Sequence, residues 1–189
     1  IPFMADYIQQ AGIPVVITRE PGGTELGEGL RELLLHQPMH LKTETLLMFA
    51  ARNEHIETVI QPALNAGKWV LCDRFSDASY AYQGGGRQLG ATAIEILEHW
   101  VHSDLQPDRT WLFDLPLAVA AQRLQSGRVL DRFEKEQEAF FYRTQRFYHQ
   151  RAQAQPERFI CIDSSQSVQQ IQTQLQHQLE ALILSWKNV

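Results

Sequence analysis

The stretch WVLCDR at residues 69–74 decides the fold class of this chain. Its first four residues are apolar and show no alternation with polar residues, which is typical of a strand covered on both faces of a parallel sheet. The two charged residues stand where that strand would end. In open α/β sheets, ligands bind beyond the carboxyl ends of the strands. The stretch therefore predicts a buried parallel strand and one edge of a binding site.

Three other runs of the chain share the apolar pattern of this stretch. The four predicted strands are residues 13–18, 69–72, 110–113 and 159–162. Apolar residues at three- and four-residue steps predict helices at 26–35, 43–65, 92–102, 117–125, 134–153 and 168–186, and residues 3–11 resemble the end of a helix. Because strands and helices alternate to the end, we predict an α/β fold with a parallel sheet, in one domain spanning residues 1–189.

Composition excludes several classes of function. The 189 residues carry 17 basic and 22 acidic side chains, a net charge of −5, which disfavours nucleic acid or an anionic membrane as partner. Thirteen of the basic residues are arginine, the residue that recognises phosphate or carboxylate with two hydrogen bonds. The alternative is a general preference of the genome for arginine over lysine. Cys72 and Cys161 lie in apolar runs, so we expect buried free thiols in the cytoplasm. No apolar run reaches 18 residues, so no membrane span is expected.

The segment REPGGT at residues 19–24 follows the first predicted strand. Its paired glycines allow close approach of a ligand to the backbone, and Pro21 stiffens the turn. Arg19 and Glu20 lie at the end of the strand where ligands bind. The alternative is an ordinary turn between strand and helix, with Thr24 as the helix N-cap.

Asp73 and Arg74 follow the second strand. A carboxylate at this point is where P-loop nucleotide enzymes hold Mg²⁺, and an adjacent arginine can grip a phosphate with two hydrogen bonds. The alternative is a surface ion pair. Farther along, Tyr82 and Gln83 offer a ring and an amide that suit a nucleobase edge, before three glycines that we interpret as a flexible turn.

Arg52 is the most informative single residue. It lies in an otherwise apolar stripe of the helix predicted at 43–65, and an inward arginine is costly unless its charge is met. We therefore expect it to face a polar ligand or a carboxylate, with Phe49 one turn earlier able to stack on a flat ring. The alternative is a side chain that extends outward to solvent.

Arginines are frequent between residues 123 and 158. Arg123, Arg128 and Arg132 surround a Ser-Gly pair that could act as a hinge, as a mobile loop that stabilises a transferring phosphoryl group would require. The alternative is a solvated helix face with Arg–Glu pairs. We expect that solvated role for Arg143, Arg146, Arg151 and Arg158. The histidines form no recognisable metal-ligand cluster in the sequence.

These pieces together resemble the thymidylate kinase family, in particular the bacterial branch with a catalytic arginine in its lid. The resemblance rests on TREPGGT at 18–24, FAAR at 49–52, DRFSDASYAYQG at 73–84 and LDRFE at 130–134. It implies a three-layer, doubly wound parallel sheet of five strands, of the P-loop nucleoside monophosphate kinase type, and a lid at about residues 123–134. The implied reaction is transfer of the ATP γ-phosphoryl group to dTMP with Mg²⁺, for dTTP synthesis, by a cytoplasmic homodimer.

The resemblance also implies roles for individual residues. Arg74 and Arg31 would bind the dTMP phosphate, and Glu20 and Pro21 would also contact the substrate. Phe49, Arg52, Ser79 and Gln83 would contact thymine, with Phe49 stacking on the ring and Arg52 binding a carbonyl. Tyr82 would crowd the 2′ position of the sugar, and Asp73 would lie near Mg²⁺. Arg123, Arg128 and Arg132 would bind the ATP phosphates, and Arg74, Asp73, Arg123 and Arg128 are the predicted catalytic residues.

Two features depart from the family pattern. In many members the stacking Phe lies four residues before the arginine, where this chain has Met48, whereas Phe49 lies three before it. No P-loop motif occurs, since Gly67-Lys68 lacks both the first glycine and the Ser/Thr. We therefore expect about 20 residues of the family pattern, including a strand and the P-loop, to precede Ile1 in the natural protein. Two alternatives are a non-catalytic relative that binds dTMP and a kinase for another deoxynucleoside or nucleotide.

Overall fold

The computed structural model describes residues 1–124 and 130–187. Helices α1 (Pro2–Gln10), α2 (Glu25–His36) and α3 (Leu41–His55) surround strand β1 (Val15–Arg19) in the sequence. A π-helical segment (Ile56–Ile60) joins α3 to α4 (Gln61–Asn65), and strand β2 (Trp69–Asp73) follows. Next come α5 (Ser76–Ser79), a second π-helical segment (Tyr80–Gly86) and α6 (Ala91–His102). The remaining elements are β3 (Thr110–Asp114), α7 (Leu117–Leu124), α8 (Glu138–Ala154), β4 (Phe159–Asp163) and α9 (Val168–Lys187).

The strands pair in parallel, as the apolar runs predicted. Strand β1 pairs with β2, with Arg19 opposite Asp73, and β3 pairs with β4, with Asp114 opposite Asp163. Across residues 1–124 and 130–187 these are two separate two-stranded sheets, with no ladder between β2 and β3. The parallel register brings the ends of β1 and β2 side by side.

One apolar core joins the two sheets. Helices α1 and α9 pack together, and their buried side chains meet Leu71 of β2 and Ile162 of β4. A second, smaller cluster consists of Phe49, Tyr80 and Ile94, where α3, the second π-helical segment and α6 meet. The second cluster fixes the helices that carry the predicted base-binding residues.

Two expectations about local structure are corrected. Cys161 is exposed and Cys72 is half-buried, so neither is the fully buried thiol that was expected, although partial burial raises the pKa of the Cys72 thiol above its usual range. The triple glycine is not a flexible turn, because Gly85 and Gly86 are buried beneath α8. A Cβ at Gly85 would collide with the ring of Phe147, and one at Gly86 with Phe140. These glycines serve close packing of the helices.

Candidate active site

The site lies where β1 and β2 end. The backbone N–H of Glu20 donates to the carbonyl of Asp73 at 2.9 Å, and Arg74 Nε donates to the carbonyl of Glu20 at 3.1 Å. The two predicted functional segments are therefore in direct contact. Arg74 has φ of 68°, a left-handed conformation that is strained for a residue with a side chain and that occurs often at functional sites.

The turn after β1 forms the helix N-cap that its sequence allowed, whereas close approach of a ligand to its glycines stays a prediction. Thr24 Oγ1 accepts a hydrogen bond from the Gly27 N–H, so Thr24 is the N-cap of α2. Gly23 has φ of 79°, and a Cβ there would lie 2.6 Å from Thr18 Oγ1 and 2.7 Å from His55 Nε2. The glycine therefore lets the turn lie against His55, beside the buried side chain of Glu20.

Arg52 points inward, as predicted, and its side chain is only 3% exposed. Its Nε donates to Glu20 Oε2 at 2.7 Å and its Nη2 donates to Ser79 Oγ at 3.0 Å. The carboxylate that the sequence required is Glu20, itself 4% exposed. The alternative of an outward-reaching side chain is wrong. Among the described residues the buried Nη1 of Arg52 has no hydrogen-bond partner.

Glu20 is held by a second group, His55, which the sequence analysis did not select. His55 Nδ1 lies 2.9 Å from Glu20 Oε1, and its Nε2 lies close to Thr18 Oγ1. An ionised carboxylate can only accept, so Nδ1 donates to Glu20, and in the neutral imidazole Nε2 accepts from the Thr18 hydroxyl. This chain of hydrogen bonds orients Glu20, which in turn orients Arg52.

Glu20, His55 and Cys72 also place ligand atoms within 4.8 Å of one another, close enough for a metal ion. Both carboxylate oxygens of Glu20 already accept hydrogen bonds, one of them from the Arg52 cation. The Cys72 Sγ–H donates to the Arg74 carbonyl at 3.0 Å, so this third atom also has a partner within the site. We therefore interpret the group as a hydrogen-bonded network.

Aromatic rings surround the guanidinium of Arg52. Its Cζ lies 4.5 Å from the ring centroid of Phe49 and 5.3 Å from that of Phe75. His102 stacks on Phe49 and lies 4.9 Å from Phe75 between ring centroids. Burial, and then the charge of Arg52, lower the pKa of His102. Phe49 could be identified from the sequence because it lies on the same helix face as Arg52. Phe75 and His102 were missed. The position of Phe75 directly after Arg74 was the signal that could have found it.

Three arginines converge beside Pro21. Arg31 Nη1 donates to the Pro21 carbonyl at 3.0 Å. Burial lowers the pKa of Arg31, and the charges of Arg74 and Arg19 lower it further. Arg19 is paired with Glu28 at 2.8 Å on the exposed side of the turn. Like charges this close repel one another, so a dianion between Arg31 and Arg74 would be stabilised.

Asp73 is exposed at the end of β2. Within residues 1–124 and 130–187 its carboxylate makes no hydrogen bond or ion pair, so its oxygens are available to solvent or a cation. An exposed single carboxylate suits Mg²⁺, which keeps several waters and takes one or two protein carboxylates.

Tyr82 and Gln83 occupy the second π-helical segment. Burial raises the pKa of Tyr82, whose ring lies 5.9 Å from Phe133 and from Phe140 between centroids. Gln83 is buried and its Nε2 donates to Glu44 Oε1 at 2.8 Å. Glu44 was missed because an acidic residue in the first turn of a helix ordinarily faces solvent.

The predicted lid arginines have different surroundings. Arg123 is exposed at the end of α7, where its Nη2 donates to the Ser164 carbonyl at 3.2 Å. Arg128 lies outside the described residues. Arg132 donates from Nε and Nη2 to the Leu34 carbonyl, and its Nη1 forms an ion pair with Glu44 Oε2 at 2.7 Å. Binding of ATP phosphates by Arg132 stays a prediction and would require exchange of these contacts.

Three arginines that the sequence analysis assigned to a solvated face are instead structural. Arg143 donates from Nε and Nη2 to the Gly86 carbonyl at 3.1 and 2.7 Å. Arg151 Nε lies 2.9 Å from Asp77 Oδ1, and Arg158 Nη1 lies 2.6 Å from Asp77 Oδ2. Asp77 is buried in α5, between Arg74 and Ser79. The solvated interpretation is wrong for Arg151 and Arg158 because their partner lies 74 and 81 positions away in the sequence. This ion pair fixes the site helix against α8 and β4.

The Asp77 contacts predict a pH-dependent contribution to stability. Burial alone would raise the pKa of Asp77. The hydrogen bonds that Arg158 and Arg151 donate to it, together with their positive charges, have the larger effect, so the pKa of Asp77 is lowered. A carboxyl group whose pKa is lower in the folded than in the unfolded state stabilises the folded protein at pH values above its unfolded pKa, about 3.9. That contribution is lost as the pH falls through the folded-state pKa. Asp77→Asn should therefore cost about 3 kcal/mol at pH 7 and less below about pH 4.

Urea unfolding of the parent and the variant between pH 7 and pH 3 checks this expectation. The exposed Asp108, changed to Asn, is the matched control and should show no such pH-dependent difference. A difference between parent and Asp77→Asn that stays constant or grows toward pH 3 would contradict the assigned role.

Comparisons with known proteins agree with this geometry. Residues 2–175 match the family model "Thymidylate kinase". A thymidylate kinase of Bordetella pertussis is 59% identical over 181 residues, covering 96% of this chain and 87% of the relative. One of Cupriavidus necator is 58% identical over 162 residues, covering 86% of this chain and 80% of the relative.

A solved structure gives the same result for the fold. The crystal structure of thymidylate kinase from Ehrlichia chaffeensis superposes with a TM-score of 0.75 at 30% identity, covering 95% of this chain and 88% of the other. No described helix is long and apolar enough to span a membrane. The alternatives of a non-catalytic relative and of a kinase for another nucleotide are not favoured by these matches. The chain therefore belongs to the thymidylate kinase family, with the P-loop nucleoside monophosphate kinase fold, and its reaction is phosphorylation of dTMP to dTDP with ATP as co-substrate.

Proposed function

We propose that the thymine ring of dTMP binds beside Phe49, with a carbonyl oxygen accepting from Arg52. The observation that carries this proposal is the buried Nη1 of Arg52, which has no partner among the described residues although the other two guanidinium nitrogens are bonded. A buried donor without a partner costs about 1–3 kcal/mol, and a ligand oxygen removes that cost. Glu20 and Ser79 hold the guanidinium in the orientation that presents this atom.

The other end of dTMP binds at the three-arginine cluster. Arg74 and Arg31 grip the phosphate, and the strained backbone of Arg74 fixes the direction of its side chain. Tyr82 lies three residues after Ser79, in the second π-helical segment, and crowds the 2′ position of the sugar. Glu20 and Pro21 contribute through their carbonyls, which accept from Arg74 and Arg31 and so place both cations.

ATP supplies the phosphoryl group, and arginines of this chain offset its charge. Asp73 is the carboxylate that would hold Mg²⁺, directly or through water, and the bound ion would offset charge on the phosphates during transfer. Arg123 and Arg128 act on the ATP side from the lid segment, about residues 123–134 of a single domain. No covalent intermediate is required, because positioning and charge neutralisation carry out this transfer.

The Arg52→Lys variant tests the base site. Lysine can still pair with Glu20 but lacks the planar donor at Nη1, so dTMP affinity should fall about 10- to 100-fold while the melting temperature changes little. Calorimetric titration with dTMP and a thermal melt measure the two quantities. Arg109→Lys, at an exposed site before β3, is the control. A collapse of the melting temperature with unchanged affinity in the folded fraction would overturn the base-binding role.

We also propose a homodimer in the cytoplasm. Helices α3 and α6 pack on each other and expose large apolar side chains, namely Leu46 at 54%, Ile96 at 65% and Trp100 at 80% exposure. Ile96 and Trp100 are four residues apart and so share one helix face, which a second copy would cover. Sedimentation velocity should give a dimer for the parent and a monomer for Trp100→Glu. A monomeric parent would contradict the dimer.

A further inference from the structure

Glu44 has no role in the reaction described so far, yet it is the most completely surrounded carboxylate of this region. Its side chain is 1% exposed. One oxygen, Oε1, accepts from Gln83 Nε2 at 2.8 Å. The other, Oε2, lies 2.7 Å from Arg132 Nη1 and 3.5 Å from Arg87 Nε. A single buried carboxylate therefore links the residue predicted to read the base with two arginines.

The contact with Glu44 decides which way the amide of Gln83 points. An ionised carboxylate has no proton to donate, so only the amide nitrogen of Gln83 can face it. The carbonyl oxygen of Gln83 is consequently the atom left to interact with another donor. Gln83 follows Ser79 by four residues in one continuous helical segment, so both lie on the side that meets Arg52.

Arg132 fixes Glu44 from the opposite side. Its Nε and Nη2 donate to the Leu34 carbonyl at 3.0 and 2.8 Å, which leaves Nη1 directed at Glu44 Oε2. A guanidinium group can only donate hydrogen bonds, so the atom of residue 44 that faces Arg132 must be an acceptor. Arg132 therefore fixes Glu44 as an acceptor, and Glu44 in turn fixes the amide nitrogen of Gln83 as the donor between them.

We propose that Glu44 is a positioning residue that makes Gln83 a hydrogen-bond acceptor and thereby selects bases with a donor at N3. This inference rests on the proposed base site. Thymine carries an N3–H, which the Gln83 oxygen accepts, whereas cytosine carries an unprotonated acceptor at N3, which that oxygen repels. Arg52 adds a donor that suits the thymine carbonyl and opposes the cytosine amino group.

Glu44→Gln is the decisive substitution because it reverses the orientation of the Gln83 amide. Arg132 can only donate, so it holds the oxygen of the new amide and leaves the new amide nitrogen facing Gln83. Gln83 must then turn its own oxygen inward and present its nitrogen to the base. The ratio of kcat/KM for dTMP to that for dCMP should fall about 10-fold or more. Arg52 still opposes cytosine, so selectivity is not abolished.

Three companion variants separate this role from a structural one. Glu136→Gln removes a charge that pairs with Arg87 but has no contact with Gln83, and it should leave the ratio unchanged. Glu44→Asp keeps the charge facing the arginines but withdraws it from Gln83, and should lower the ratio as well. In a Gln83→Ala background, Glu44→Gln should have no further effect on the ratio, because it acts only through Gln83.

Steady-state assays of the full natural chain with dTMP and dCMP, supported by calorimetric affinities, distinguish the outcomes. A parent that prefers dTMP together with an unchanged ratio in folded Glu44→Gln and Glu44→Asp overturns the positioning role alone. An effect of Glu44→Gln that persists without Gln83 also overturns it. A parent with no preference for dTMP overturns the proposed base site itself.

Discussion

Turnover is expected to fall about 10³-fold when the catalytic lid arginine is changed to alanine, while dTMP affinity stays near that of the parent. Arg123 and Arg128 are the two candidates for this residue. Charge developing on the transferred phosphoryl group is stabilised in the transition state, whereas the dTMP phosphate is held separately by Arg74 and Arg31. A residue that acts only on the transferring group lowers kcat and leaves acceptor binding intact.

Arg123→Ala and Arg128→Ala, each measured for kcat and for dTMP affinity by calorimetry, test this expectation. Arg146→Ala, on the exposed surface of α8, is the control and should behave like the parent. If both lid variants turn over normally, or if dTMP affinity falls together with kcat, the stabilising role belongs to another residue.

Arg74→Lys should lower kcat/KM for dTMP about 10²-fold although the charge is kept. Arg74 Nε is held by the carbonyl of Glu20, which aims the remaining guanidinium nitrogens as a fork. Lysine offers a single point charge and cannot make two parallel hydrogen bonds to phosphate. The loss corresponds to about 2.7 kcal/mol, within the range for hydrogen bonds to charged groups.

Kinetics of Arg74→Lys and of the control Arg109→Lys, together with a thermal melt of each, provide the measurement. If Arg74→Lys keeps the kcat/KM of the parent, the phosphate-binding role is wrong, and the alternative of a surface ion pair is favoured. The melting temperatures show whether a kinetic loss comes from destabilisation. If both variants melt at the same temperature, a loss of kcat/KM confined to Arg74→Lys reflects phosphate binding.

Features that depend on short stretches of sequence could be predicted. The apolar run at residues 69–72 gave β2, because an apolar run without alternation is recognisable as a parallel strand before its partners are known. Of this strand only Leu71 is buried. The apolar stripe of α3 gave the inward direction of Arg52, because helix geometry fixes which residues share a face. Parallel pairing then placed Glu20 beside Asp73, since the carboxyl ends of adjacent parallel strands meet at one edge.

Features that depend on distant partners could not be predicted from the sequence alone. The carboxylate that meets Arg52 is Glu20, 32 positions earlier, and a single sequence does not say which acid approaches. Glu44 has the pattern of a solvated first-turn acid until Arg132 and Gln83 close over it. Arg158 and Arg151 were misassigned for the same reason, because their role exists only once α8 packs beside Asp77.

Phosphorylation of a panel of deoxynucleoside monophosphates and of thymidine, with ATP and Mg²⁺ and the full-length protein, measures the acceptor specificity of the site. We expect dTMP to be converted to dTDP with a kcat/KM at least about 100-fold above that for dCMP, because Arg52 and Gln83 both oppose cytosine. We also expect thymidine to be a poor acceptor, because it leaves Arg74 and Arg31 without a phosphate. Equal turnover of dTMP and dCMP, or preferred phosphorylation of thymidine, would contradict this specificity.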